Sequence, residues 1–143
     1  MAITSAICNS FKTEILTGVH NFTASTGDTF NLALYTSSAS LGAGTTAYTT
    51  SNEVSGTGYT AKGNALTSVT PALDSSTAVC DFADTSFTSA SFTARGCLIF
   101  NDSATGDPAV CAIDFGADKT VTSGTFTIQF PTADASNAII RIA

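Results

Sequence analysis

His20 is the one histidine of the chain, so it is the first group to test for acid–base chemistry. It stands in GVHNF with no serine or cysteine in a recognisable nucleophile setting, so a catalytic triad is poorly supported. A place at the surface or at the end of a helix, against terminal carbonyls, is the plainer reading. Four of the 11 carboxylates stand in two close pairs, Asp81 and Asp84 in CDFADTS and Asp114 and Asp118 in IDFGADK. Paired carboxylates can exchange protons or hold a hard cation, but this spacing is not that of a calcium loop. Both segments run from a strand-like stretch into a turn, where Asp caps local amides. Cys8, Cys80, Cys97 and Cys111 are separated by 71, 16 and 13 residues, with no CxxC pair to suggest zinc or redox work. Three of them lie in apolar runs (TAVCDF, RGCLIF, AVCAIDF) and read as small buried hydrophobes, with a Cys97–Cys111 bridge between neighbouring strands left open. The glycine runs GAG and SGTG neither follow a strand nor open a helix, and no GK[ST] accompanies them, so they are not phosphate loops. The expectation is a protein without enzyme activity, metal or cofactor.

The elements that would position these groups are mostly strands. Thr numbers 25 and Ser 17 while charged residues are only 11%, so hydroxyls must keep the surface wet. Thr suits a pleated sheet better than a helix. Residues 30–35, FNLALY, alternate with a period of two, and further strands are expected at 68–73, 77–82, 91–100, 109–115, 124–130 and 138–142. Pro71 marks an edge or a strand end, and NDSATGDP, 101–108, is a turn. One helix is expected near the start, capped by Thr4 or Ser5, with Ile7, Phe11, Ile15 and Val19 on one stripe and Gly18 as its stop. The predicted fold is mainly β, an antiparallel β-sandwich of jelly-roll or immunoglobulin-like type with one short N-terminal α-helix. It is read as one domain over 1–143, with the helix in 1–20 and the sandwich in 27–143.

Residues 36–64 are long, weakly periodic and rich in Gly, Ser and Thr; loops of this length are exposed excursions or are ordered by a partner. Tyr48, Glu53 and Tyr59 are the anchors such an arm would offer to a neighbouring subunit. The helix stripe, Ile7, Phe11 and Ile15, packs either on its own β-body or on a neighbour. Arg95, in FTARGCLIF, is a guanidinium inside an apolar strand, and such a charge needs a fixed partner. Alternation places it on the face opposite Phe92, Ala94, Leu98 and Phe100, within reach of Asp81, Asp84 or Asp114 if their strands are neighbours. A structural ion pair, within the chain or across a subunit boundary, is expected, and Gly96 leaves room for a bulge or a close approach.

The net charge of −6 and the lack of any basic run make nucleic acid an unlikely partner. The N-terminus, MAITSAICNSFKTEIL, has no basic n-region, and no stretch reaches the ~20 apolar residues of a membrane span, so a soluble chain made in the cytoplasm is expected, with no membrane contact. NFT at Asn21 and NDS at Asn101 match the glycan-acceptor pattern without a secretory context to use it.

Along nearly its whole length the chain resembles a group of small virion structural proteins of tailed bacteriophages. The resemblance runs through NSFKTEIL, FNLALYTSSASLGAGTTAYTTSNEVSGTGYTA, CDFADTSF, FTARGCLIF, IDFGADKT and FTIQFPTADASNAIIRIA. In that group Gly-Gly often replaces Lys62-Gly63, and a small residue follows the ARG strand where Cys97 stands. The resemblance implies a component of the phage particle, most simply a capsid decoration or cement protein made in the bacterial cytoplasm. Its partners would be the major capsid protein, other virion proteins and further copies of itself. Ile7, Phe11, Ile15, Tyr48, Glu53, Tyr59 and Arg95 are the candidate interface. A tail or head-to-tail connector part is the alternative within the particle. A receptor- or glycan-binding module, using Tyr35, Tyr48 and Tyr59 as stacking platforms, is the alternative outside that class.

Overall fold

In the computed structural model, which describes residues 2–143, strands hold 49% of the chain and helix 6%. The elements in order are β1 (Ala6–Ile7), α1 (Asn9–Leu16), β2 (Phe30–Tyr35), β3 (Asn64–Ala65), β4 (Ser68–Asp74), β5 (Thr77–Phe82), β6 (Thr85–Asn101), β7 (Ala109–Ile128) and β8 (Ile140–Ile142). They make two antiparallel sheets, one in the order β1-β7-β6-β2-β3 and one in the order β4-β5-β8. The expected mainly-β sandwich with one short helix is the fold found.

FNLALY is buried along its whole length because β2 lies inside the larger sheet, with Leu34 opposite Cys97 and Leu32 opposite Ile99. Phe30 stacks on Phe22 at 4.2 Å, and Phe82 of β5 meets Phe30 at 6.0 Å, which ties the smaller sheet to the larger. Fully burying each such ring contributes about 1.5–3 kcal/mol, so this aromatic group is a main seam of the core. Pro71 sits on the edge strand β4, between Val69 and Ala72 where the register shifts, a position that needs no ladder amide.

The segments 91–100 and 109–115 pair through the turn at 101–108 as expected, but the hairpin is longer. β6 begins at Thr85, and β7 continues through 116–124 to Ile128. GADKTVTSG resembles a loop because its Gly, Asp and Ser residues mark irregularities inside the ladder instead of ends. Between the pairs Gly96↔Asp114 and Ala94↔Lys119, β6 advances two residues (96 − 94) and β7 five (119 − 114). Gly116, at φ +82°, lies in this bulge, where a residue with Cβ is disfavoured. The bulge bends β7 sharply. The rings of Phe115 and Phe126 lie 6.3 Å apart, although eleven residues of straight strand would span about 36 Å.

The helix starts later than its stripe implies. Cys8, extended at φ −66° and ψ 138°, is the N-cap, and Ile7 pairs with Cys111 as part of β1. The unpaired edge of β7 at Cys111 and Ala112 takes residues 6 and 7 into a ladder, which outweighs helix propensity there. Val19 lies beyond the helix and is exposed.

Candidate interaction surface

Arg95 has its partners within the chain. Its Nε donates to Asp114 Oδ1 at 3.2 Å, and its Nη1 lies 3.7 Å from Asp118 Oδ1. The bulge brings both aspartates of IDFGADK to one guanidinium, so Asp114 is the expected partner, Asp118 is an addition, and Asp81 and Asp84 are not involved. The Gly116 amide and then Arg95 hold the Asp114 carboxyl below the usual carboxylate range. Gly96 permits the close approach expected of it, since a Cβ there would lie 2.5 Å from the Ile113 carbonyl oxygen and 2.8 Å from Ile3 Cδ1.

The helix packs on its own β-body. Phe11 is buried, with its ring 4.9 Å from His20 and 6.0 Å from Phe22, and Ile15 and Ile7 are half-buried against the same core. Phe11 therefore offers no free apolar surface to a neighbour. The exposed apolar side chain on the helix is Leu16, at 86%.

His20 is buried rather than at the surface, which corrects its reading as an exposed helix-end group. Its Nε2 is 3.1 Å from Glu14 Oε1 and its Nδ1 is 3.2 Å from Asn101 Nδ2. Asn101 Oδ1 accepts from the Ser103 and Ala104 amides, so Nδ2 is the end facing His20 and donates to Nδ1. The imidazole then carries its proton on Nε2 and donates it to Glu14. Asn101 Nδ2 also donates to Asp28 Oδ2, so helix, hairpin turn and the 20–28 connection are locked by one network. No nucleophile touches it, and its task is positioning.

Tyr48, Glu53 and Tyr59 converge, but on each other. Glu53 accepts from Tyr48 Oη at 2.6 Å, from Tyr59 Oη at 2.7 Å and from the Lys62 amide at 2.8 Å. Tyr59 Oη in turn accepts from the Leu34 amide at 2.9 Å, and the Tyr48 ring stacks on Phe100 at 4.8 Å. Burial first, then the hydrogen bond to Glu53 and its charge, push the Tyr48 hydroxyl up to about 12. The 36–64 segment is therefore a strap pinned to the body, with its own Ala39, Leu41 and Val54 buried in the core, and not an arm extending from the surface. Lys62 (φ +74°) and Gly63 (φ +64°) turn its end under β2, where a Cβ on Gly63 would fall 1.8 Å from the Leu32 carbonyl oxygen. The ammonium of Lys62 pairs with Asp102 at 2.8 Å and Asp107 at 2.9 Å, tying the strap to the hairpin turn.

These contacts remove the stacking platforms of the glycan reading. Tyr35 is fully buried and donates to the Thr49 carbonyl at 2.6 Å, while Tyr48 and Tyr59 are part of the core's rim. The four thiols are free and buried, and burial pushes Cys8 up to about 11 and Cys80 and Cys111 up to about 12. Cys97 and Cys111 occupy diagonal positions on β6 and β7, opposite Ile113 and Ile99, without a bond between them. Among the described residues no group of three or more His, Cys, Asp or Glu could hold a metal ion, and no helix is long and apolar enough to cross a membrane.

The surface that remains unsatisfied is one that sequence reasoning did not single out. Leu73, Ala78 and Ile142 stand in one cross-strand row of the smaller sheet, with Leu73 73% and Ile142 56% exposed. Val69, 43% exposed, lies further along the same edge strand. The row continues the face that carries buried Cys80, Phe82 and Ile140, so the sheet's inner face runs past the edge of the body into solvent. The signal lay in PALD and IIRI, apolar strand ends with nothing polar to cover them. Comparison with protein-family models, with characterised proteins and with solved structures finds no match to this chain.

Proposed function

We propose that the chain is a structural component of a tailed-phage particle and acts as a capsid decoration protein, binding the outside of the shell and stabilising it. The observation that carries this reading is the overhanging apolar row Leu73–Ala78–Ile142 beside the open outer edge of β4. Large side chains at the bare end of a sheet are an interaction surface or an aggregation liability, and a shell subunit covering them would make them the former. The rest of the body supports the same role. The strap, the helix and the hairpin turn are fastened by the Glu53 and His20 networks, so the apolar row is presented on a preorganised frame, and little ordering would be needed on binding. Many copies on a symmetric shell would add modest contacts through avidity.

The candidate interface moves accordingly, from Phe11, Tyr48, Glu53 and Tyr59, which serve the chain itself, to Leu73 and Ile142, with Leu16 and Val69 as separate exposed positions. The test is a binding assay on mature, expanded capsids with a Leu73→Asp, Ile142→Asp double variant. Both positions are exposed, so the variant should fold as the native chain does. Loss of capsid binding by a folded variant is the expected result; undiminished binding would move the interface elsewhere, and no binding by the native chain would remove the decoration reading.

A further inference from the structure

The bend in β7 leaves a cleft of about 510 Å³ between the two arms of the strand. Ile113 and Phe115 form one wall, Phe126, Ile128 and Phe130 the other, and Ile139 closes the side, with fully buried Cys97 at its inner surface. The volume falls in the range of small-molecule sites, roughly 300–1,000 Å³, and the lining is of their kind, apolar with a few polar groups. Those polar groups are Lys119, Thr127 and Gln129, and no carboxylate is among the lining residues.

Lys119 is distinguished among the five basic residues. Lys12 contacts Asn9, Lys62 and Arg95 pair with aspartates, and Arg141 donates to the Ala135 and Ser136 carbonyls. The Lys119 ammonium alone makes no side-chain hydrogen bond or ion pair among the described residues, although the chain carries six excess negative charges. An uncommitted ammonium at an apolar cleft selects a ligand with an apolar body and an anionic end. The cleft is also poorly suited to adding a peptide strand along β7, because the register shifts near Ala90 and between Ala94 and Gly96 break the regular edge that strand addition needs.

We propose that this cleft binds an anionic amphiphile, a medium-length aliphatic chain ending in a carboxylate. The chain lies along the apolar lining made by Ile113, Phe115, Phe126 and Ile128, and the carboxylate meets the Lys119 ammonium. The site is separate from the overhanging row of the smaller sheet and does not depend on the particle reading.

The test uses the full chain and three probes, laurate, dodecanol and butyrate, each kept below the concentration at which it self-associates, with binding followed by calorimetry. Saturable one-to-one binding of laurate, weaker binding of dodecanol and none of butyrate is expected. Lys119→Glu changes an exposed residue and should leave folding intact. It should weaken laurate about fivefold, the upper size of one exposed ion pair, and leave dodecanol unchanged. Phe126→Asp, checked for native circular dichroism, should abolish both. No saturable binding of laurate, or an equal effect of Lys119→Glu on laurate and dodecanol, would overturn the proposal. So would concentration-dependent self-association of the native chain that Phe126→Asp abolishes and laurate does not compete with, because the cleft would then belong to a second copy.

Discussion

Replacing Glu53 tests whether the 36–64 strap is held to the body as its contacts imply. Glu53→Ala removes the acceptor of three hydrogen bonds at 2.6, 2.7 and 2.8 Å, from Tyr48, Tyr59 and the Lys62 amide. A hydrogen bond to a charged group contributes about 1.5–3 kcal/mol, and these groups are half-buried, so water can replace part of the loss. Tyr59 keeps its bond from the Leu34 amide, and Tyr48 keeps its stacking on Phe100. The expected cost is about 3 kcal/mol in all. Glu53→Gln retains a carbonyl oxygen for Tyr59 and Lys62 and turns a donor toward Tyr48, whose hydroxyl can accept, so its cost is about 1 kcal/mol. Urea unfolding followed by far-ultraviolet circular dichroism reads both. With a slope of about 1–3 kcal/mol per molar, the Ala variant's midpoint falls by roughly 1–3 M. The Gln variant also removes the charge that helps hold Tyr48 up to about 12, so the alkaline absorbance titration of tyrosine begins at lower pH. An Ala variant within 0.5 kcal/mol of the native chain would refute the strap's anchoring.

Three further outcomes follow from the same contacts. Burial raises the Asp81 carboxyl, the Phe82 and Ile139 amides partly offset this, and Asp134 and Asp84 add to it; Oδ2 has no hydrogen-bond partner. The native state therefore binds this proton more tightly than the unfolded chain, and the group's contribution is most favourable below about pH 4 and is lost as pH rises through its raised value. Asp81→Asn should stabilise the protein by about 1 kcal/mol at pH 7 and by nothing near pH 3 in thermal melts; a less stable variant at pH 7 would contradict this. All four cysteines are buried as thiols, so a thiol reagent at pH 8 should label none in the native protein and four in urea, and rapid native labelling of Cys97 or Cys111 would refute the packing of β6 on β7. Arg95→Met should cost no more than about 1 kcal/mol, with a difference that shrinks in high salt and an unchanged elution volume on a sizing column, because its partners lie in its own chain and are partly solvated. A changed assembly state would return Arg95 to a subunit boundary.

Much of the sheet was legible because burial in a sandwich imposes local patterns. FNLALY and TAVCDF coincide with β2 and β5, and Pro71 falls on an edge. The single helix was legible as an element, but its start was not, since Ile7 is claimed by a ladder partner more than a hundred residues away. The middle of β7, 116–123, was hidden because its Thr-rich face is exposed and its Gly and Ser residues mark a bend, so 109–115 and 124–130 read as two separate strands where the structure has one. Cross-strand pairs such as Thr93–Thr120 and Ser86–Thr127, both at 2.9 Å, help hold it, and they carry no apolar signal. The burial of His20 depends on Asn101, which no spacing rule connects to it. Tyr48, Glu53 and Tyr59 were recognisable as anchors, and what the sequence left undecided was direction. A lone carboxylate between two tyrosines, in a segment that also holds Leu41 and Val54, is what an inward-facing strap looks like. The cleft was invisible, since it arises from the bend that brings Phe115 to Phe126.

Imaging of intact phage particles that carry this chain, with the number of copies per particle counted by quantitative mass spectrometry, tests the proposed role most directly. The decoration account predicts hundreds of copies at fixed positions over the shell, with the Leu73–Ile142 end of the smaller sheet seated on capsid subunits. A dozen or fewer copies in a ring at a single vertex or along the tail, or no copies in the purified particle, would contradict it.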